Sequence, residues 1–252
     1  MRTQVIDQPY VTHSLGQTPA LQATQVQGSV HYGTLILEDG TTFEGKAFGY
    51  TEGKAGEVVF STGMVGYPEA LTDASFAGQI LIMTYPLLGN YGVPMDSSWE
   101  ADRIHVSGLI VSNYIDTPVH TQSTMTLGAW LKQQKVPALE IKDTRLLTQH
   151  IRKHGAMLGK IVFDNDIPFY DPNQDNLIAQ VSTTHIIYFQ YPQAGRERTL
   201  TPAASQQEKY THQILMGQVE MHEGLQKQPH RKKTVALIDC GAKRNIVRCL
   251  LQ

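Results

Sequence analysis

The chain has 252 residues, 41% of them hydrophobic and 17% charged, with a formal net charge of −2. That length holds one large domain, or one domain with part of another, in an ordinary soluble composition. Near-neutral charge argues against a nucleic-acid partner, and it leaves the basic cluster "HRKK" (His230 to Lys233) as a solvated stretch.

In chain order, residues 1–30 carry one arginine and no apolar signal core, so they read as a disordered tail rather than a targeting peptide. No run approaches the roughly 18 apolar residues of a membrane span, and a cytoplasmic location is expected. Order is expected from about residue 31. "GTLILEDGTTFEGKAFGY" predicts a hairpin: a strand through Leu37, an Asp39-Gly40 turn, and a strand carrying Phe43 and Phe48. "GEVVFSTG" predicts a third strand, and "VGYPEALTD" a short helix with Pro68 in its first turn. "QILIMTYP" and "IHVSGLIVSNYI" read as buried strands. The loop between them, "LLGNYGVPMDSSWEAD", is too long for a mere turn.

The second half alternates. "TMTLGAWLKQQ" predicts a helix and "PALEI" a strand. "DTRLLTQHIRKHG" predicts a helix from an Asp143 cap to Gly155. "AMLGKIVF" follows as a strand and "DPNQDNLIAQVS" as a short helix. Residues 182–233 lose periodicity and gain Gln, Thr and Pro, which marks a linker region with "THIIYFQY" as one strand inside it. At the end, Val235 to Ile238 suits a buried strand, and Lys243 to Leu251 begins a helix. The physical expectation is a mixed, β-rich α/β domain over residues 31–181.

Several chemistries fail on spacing. "HEGLQ" at His222 has Gln226 where a zinc-protease helix needs histidine, and His212, His222 and His230 share no adjacent turns. Asp164, Asp166 and Asp175 echo a calcium loop, but Pro168 and Phe169 occupy the ligand and turn-glycine places. No metal is assigned. Two cysteines suit a reducing compartment. Cys240 sits at a strand-to-helix turn near Lys243 and Arg244 without a recognisable base, and Cys249 is expected in the core. There is no phosphate-binding loop. Residue chemistry alone yields two well-specified loops, Gly63 to Phe76 and Pro86 to Pro94, and no proven catalysis.

"EDGTTFEGKAFGY", "GEVVFSTGMVGYPEALTDASF", "QILIMTYPLLGNYGVP", "DTRLLTQHIRKHGAMLGKIV" and "DNLIAQVS" resemble, in order, the small-subunit region of glutamine-dependent carbamoyl phosphate synthetase. "VALIDCGAKRNIVRCLL" resembles the first strand and helix of the class I glutamine amidotransferase domain that follows it. The resemblance implies a swivelling β/β/α domain over 31–181, a linker over 182–233, and a truncated glutaminase start over 234–252. "TGMVGYPEALTD" and the N-terminal extension look more like pyrimidine-pathway versions, with arginine synthesis as the other use.

The family releases ammonia from glutamine through a cysteine thioester, and a synthetase then joins it to bicarbonate with two ATP. The resemblance therefore implies three partners: glutamine, the rest of the glutaminase domain, and a synthetase subunit or fused synthetase domain on which this domain docks the glutaminase. ATP and magnesium are expected only in the synthetase part. The Cys-His-Glu triad lies in segments beyond those quoted, so no catalytic residue is assigned and the chain is expected to be inactive alone. The family's T-D-P-S-Y serine contacts bound glutamine, and Ser75 occupies that place in "TDASF". Ala74 and Phe76 depart from the motif, removing a rigid φ and a hydroxyl. "VPALEIKDTR" departs from the family's usual G-I-D-T-R, with Ile141-Lys142 before the aspartate, while Asp143 and Arg145 remain. A non-catalytic binding module that kept only the docking surface is the alternative. The terminal strand and helix, with no sheet to join, are expected not to pack on the first domain.

Overall fold

The computed structural model describes residues 30–189 and 234–251. The tail expected over 1–30, most of the region expected as linker, and the His212, His222 and "HRKK" readings lie outside the described residues.

The hairpin forms as expected. Strands β1 (Tyr32–Leu37) and β2 (Thr42–Ala47) pair antiparallel, and Gly40 adopts φ 86° in the turn. β3 (Lys54–Ser61) leads through α1 (Tyr67–Leu71) and a 3₁₀ turn at Ala74–Phe76 to β4 (Gln79–Met83). "IHVSGLIVSNYI" was expected as one strand, but it divides. β5 (Leu87–Leu88) lies before it in the long loop; β6 (Gly108–Val111) joins the main sheet, whereas β7 (Asn113–Tyr114) leaves it to pair with β5. α2 (Leu127–Gln133), β8 (Ala138–Glu140), α3 (Thr144–His154) and β9 (Met157–Val162) follow in the expected alternation. The Asp143 carboxylate accepts the Leu146 N–H at 2.8 Å, which is the predicted cap. α4 (Leu177–Val181) and α5 (Arg244–Leu250) complete the elements.

The main sheet closes on itself. Its strand order is β1-β2-β8-β6-β4-β3-β9, with β9 pairing back to β1. β3, β4, β6 and β8 run parallel to their neighbours within that group, while the β1, β2 and β9 pairings are antiparallel. One set of side chains draws on every strand, with Leu35, Val58, Ile80, Ile110, Leu139 and Ile161 buried and Phe43 packed against them. Residues from all strands of a closed sheet can meet only inside it, so this cluster is the barrel interior, and Leu147 and Ile151 of α3 join it. The second cluster takes the alternate residues Leu81, Met83, Leu109 and Val111 of the parallel strands. It packs them on Tyr67 and Leu71 of α1 and Trp130 of α2. The β-rich mixed α/β expectation holds, in the form of a barrel.

Three local expectations are corrected. Val235 to Ile238 forms no strand, and its apolar residues are exposed, Ile238 by 87%. A closed barrel offers no free edge for it to join. The described part of "THIIYFQY", through Phe189, is likewise not a strand. Cys249 is exposed rather than in the core, because α5 presents that face outward. No helix among the described residues is long and apolar enough to cross a membrane.

Candidate functional site

The two loops singled out in the sequence are bound to each other. Gly66 adopts φ 82° as the N-cap of α1, a left-handed conformation that suits glycine, and so turns the chain sharply into the helix. The cap has no side-chain acceptor of its own. Instead the Tyr91 hydroxyl, from the second loop, accepts the N–H groups of Gly66 and Tyr67 at 2.9 and 3.1 Å. Tyr67 returns the contact, its hydroxyl donating to the Gly92 carbonyl at 2.5 Å with the two rings stacked 4.3 Å apart. Burial pushes both phenols above their ordinary range, so they stay neutral donors and acceptors at physiological pH.

Beyond α1 the chain turns at Thr72 to Phe76. The buried Thr72 hydroxyl donates to Pro68 O at 2.8 Å and accepts the Glu100 N–H at 2.9 Å, tying the turn to the 96–100 segment. Asp73 is also buried, and its Oδ1 accepts the Ser75 N–H at 3.0 Å, which fixes the 3₁₀ turn. Ser75 itself is exposed at the turn's outer surface. Phe76 packs into the outer core cluster.

Contrary to expectation, the C-terminal segment packs on this turn. Lys243 Nζ lies 2.6 Å from Asp73 Oδ2. Gly241, at φ 94°, approaches so closely that a Cβ there would stand 3.1 Å from the Ala74 Cβ and 2.9 Å from Val181. α5 has no side-chain cap of its own. Glu100 supplies one from the barrel side, its carbonyl accepting the Arg244 N–H at 2.8 Å and its carboxylate the Asn245 N–H at 2.9 Å. Arg248 adds bonds to the carbonyls of Ser97 and Trp99 at 2.6 and 2.7 Å. The Asp239 carboxylate closes the preceding turn, accepting from Gly241, Ala242 and Thr183 at 2.7 to 2.9 Å. Burial would raise its pKa, but those N–H groups outweigh burial and hold it below the ordinary value.

The site therefore gathers Ser75, Asp73, Glu100 and Lys243, with Cys240 exposed in the adjoining turn. Sequence reading marked Ser75 and missed the other partners. Lys243 and Arg244 drew notice only as neighbours of Cys240, although a basic pair opening an uncapped helix is itself a signal of an acid from elsewhere. Asp143 and Arg145 are not brought to this place. Asp143 is spent on capping α3, and Arg145 is exposed on that helix, which joins the other core cluster. Of the loop acids, Asp166 pairs with the buried Lys160 at 2.6 Å and Asp175 accepts from the Tyr170 hydroxyl, so both hold the loop in place.

A closed mixed barrel with a helical segment docked on one of its turns defines a non-Rossmann α/β domain. The family model described as carbamoyl-phosphate synthase small chain, CPSase domain, matches residues 35–161, and the chain belongs to that family. It is 48% identical over 161 residues to the multifunctional protein CAD of Squalus acanthias, covering 59% of this chain and 7% of that protein. It is also 48% identical over 165 residues to the mitochondrial carbamoyl-phosphate synthase [ammonia] of Mus musculus, covering 62% of this chain and 11% of that protein. To the carbamoyl phosphate synthase arginine-specific small chain of Saccharomyces cerevisiae it is 36% identical over 230 residues, covering 87% of this chain and 47% of that protein. The chain thus spans less than half the length of each of these relatives.

Proposed function

We propose that this chain is the N-terminal part of a glutamine-dependent carbamoyl phosphate synthetase, docking the glutaminase on the synthetase and contributing Ser75 to the glutamine site. The observation that carries the reading is the exposed Ser75 on a turn held from two sides, by the Asp73 carboxylate and by the segment bearing Lys243. In this reading residues 31–181 are the swivelling β/β/α domain, and 234–252 are the start of the class I glutaminase. The docked geometry supports that division, since a glutaminase seated there would lie directly against Ser75.

The reaction in this reading is the one that the family resemblance implies. Glutamine gives up ammonia in the glutaminase, and the synthetase joins ammonia to bicarbonate with two ATP. ATP and magnesium belong to the synthetase part, and no metal is assigned to this chain. Ser75 offers a hydroxyl donor and acceptor on a preorganised turn, which suits a ligand carrying both a carboxylate and an amino group. Pyrimidine synthesis is the favoured use, with arginine synthesis as the other, and a cytoplasmic location belongs to the same proposal.

The test is Ser75→Ala in a chain carrying the whole glutaminase and synthetase, with each nitrogen donor in turn. Glutamine KM should rise roughly ten- to hundredfold while ammonia-driven synthesis is spared. A second reading, a docking module without a part in glutamine use, draws on the equal likeness to the mouse enzyme whose name carries ammonia. An unchanged glutamine KM would favour it.

A further inference from the structure

Below the Ser75 turn, at the ends where β3, β4, β6 and β8 begin, lies a cleft of about 260 Å³ that the proposed glutamine chemistry does not use. Its polar lining includes Lys54, Arg103, Ser107, Gln134 and Gln180, and no carboxylate lines it. Lys54 opens β3 and is half-buried, yet its ammonium makes no hydrogen bond or ion pair among the described residues. Burial holds its pKa below the ordinary value, with Glu52 opposing only through its charge. Arg103 spends one N–H on the Gln180 carbonyl at 3.1 Å, which fixes the guanidinium at the cleft wall and leaves its other donors free to point elsewhere. Burial and then the Arg103 charge keep His105 below its ordinary pKa, despite Asp102 and Asp73. A half-buried cation with no bonded partner among the described residues, beside a second cation and the neutral Ser107 and Gln134, is an unmet demand for an anion.

We propose that this cleft binds a small phosphate monoester, Lys54 and Arg103 taking the phosphate oxygens while Ser107 and Gln134 face the organic part. Two cations favour a dianion over a single carboxylate, and the volume exceeds what a bare phosphate ion fills. The guanidinium provides the planar pair of donors that matches phosphate oxygens. The site is independent of the glutamine reading, since Ser75 takes no part in it. Its walls do continue into the Ser75 turn, for Ala77 and Gly78 line the cleft and His105 N–H holds the Leu71 carbonyl at 2.9 Å.

Isothermal titration of the full chain with glycerol 3-phosphate, inorganic phosphate, malonate and glycerol tests the assignment. Glycerol 3-phosphate should saturate one site, inorganic phosphate should bind more weakly, and glycerol should not bind. Lys54→Met should weaken the ester about tenfold or more, the loss expected for one charged hydrogen bond. That variant keeps the fold, because the Lys54 ammonium has no bonded partner among the described residues, and an unchanged melting temperature checks this. No saturable binding of the ester overturns the proposal. Binding that Lys54→Met and Arg103→Gln both leave intact overturns the location, and malonate binding more tightly than the ester overturns the phosphate assignment.

Discussion

Lys243 sets its ammonium 2.6 Å from the Asp73 carboxylate, and the same carboxylate accepts the Ser75 N–H at 3.0 Å. One buried acid thus joins the helix at the chain's end to the turn that presents the candidate glutamine contact. Burial alone would raise the Asp73 pKa. The Lys243 bond, the N–H and hydroxyl of Ser75, and the Lys243 charge outweigh burial and hold it below 3.8. A depressed folded pKa means that the stabilisation is whole above 3.8 and is lost as pH falls through the lower folded value.

Lys243→Met should therefore loosen the docked segment while sparing the barrel. Lys243 is 44% exposed, so solvent screening limits the pair to about 1 kcal/mol. Hydrogen exchange at the Arg244 and Asn245 amides should speed up in the variant, with β4 and β6 unchanged. Equal protection in both proteins would show that Glu100 and Arg248 hold α5 without Lys243.

Asp39 offers a separate titration. The Thr41 N–H is the main influence, then the Thr41 hydroxyl, then His150 at 2.7 Å, and together they lower its pKa to about 2. Whatever stability it contributes is present above 3.8 and lost only as pH approaches 2. His150→Ala should raise the midpoint only part of the way, because the Thr41 bonds remain. Carboxyl carbon NMR would read this, and a full return to 3.8 would make His150 the dominant partner.

The barrel interior should respond to lost volume. Ile82 is fully buried there, so Ile82→Ala should cost about 2–5 kcal/mol through transfer and cavity. Met64→Ser, at a side chain 71% exposed, should stay within about 0.5 kcal/mol. Urea denaturation should shift the midpoint for the first variant with an unchanged slope.

Local signals carried most of the element reading. Asp39-Gly40, Pro68, the Asp143 cap and Gly155 each act within one turn of the chain, and each stands where expected. Closure did not show, because the β1–β9 pairing that matches Leu35 with Ile161 depends on two strands distant in sequence. The apolar run of Val235 to Ile238 promised a strand, but a strand needs an edge and the barrel has none. The site divides the same way. Ser75 came from a motif, whereas Asp73, Glu100 and Lys243 meet only after folding.

Removing residues 234–252 brings these arguments to one measurement. An unpacked segment could be deleted without effect, but this one caps α5 on Glu100, inserts Gly241 against Ala74, and closes the Asp73 and Arg248 contacts. The contacts are polar and partly exposed, while Ile246 and Leu250 remain 44% and 49% exposed, so little apolar area supports them. The loss should be about 1–2 kcal/mol, which for a domain of this size lowers the melting temperature by about 2–8 °C. Buried Asp73 would lose its cation and keep only the Ser75 bonds, so its carboxyl should titrate higher in the shortened chain. The Thr72 to Phe76 amides should exchange faster, while the barrel interior keeps its protection. No change in melting temperature or in those amides would show that the turn is fixed by α1 and Tyr91 alone.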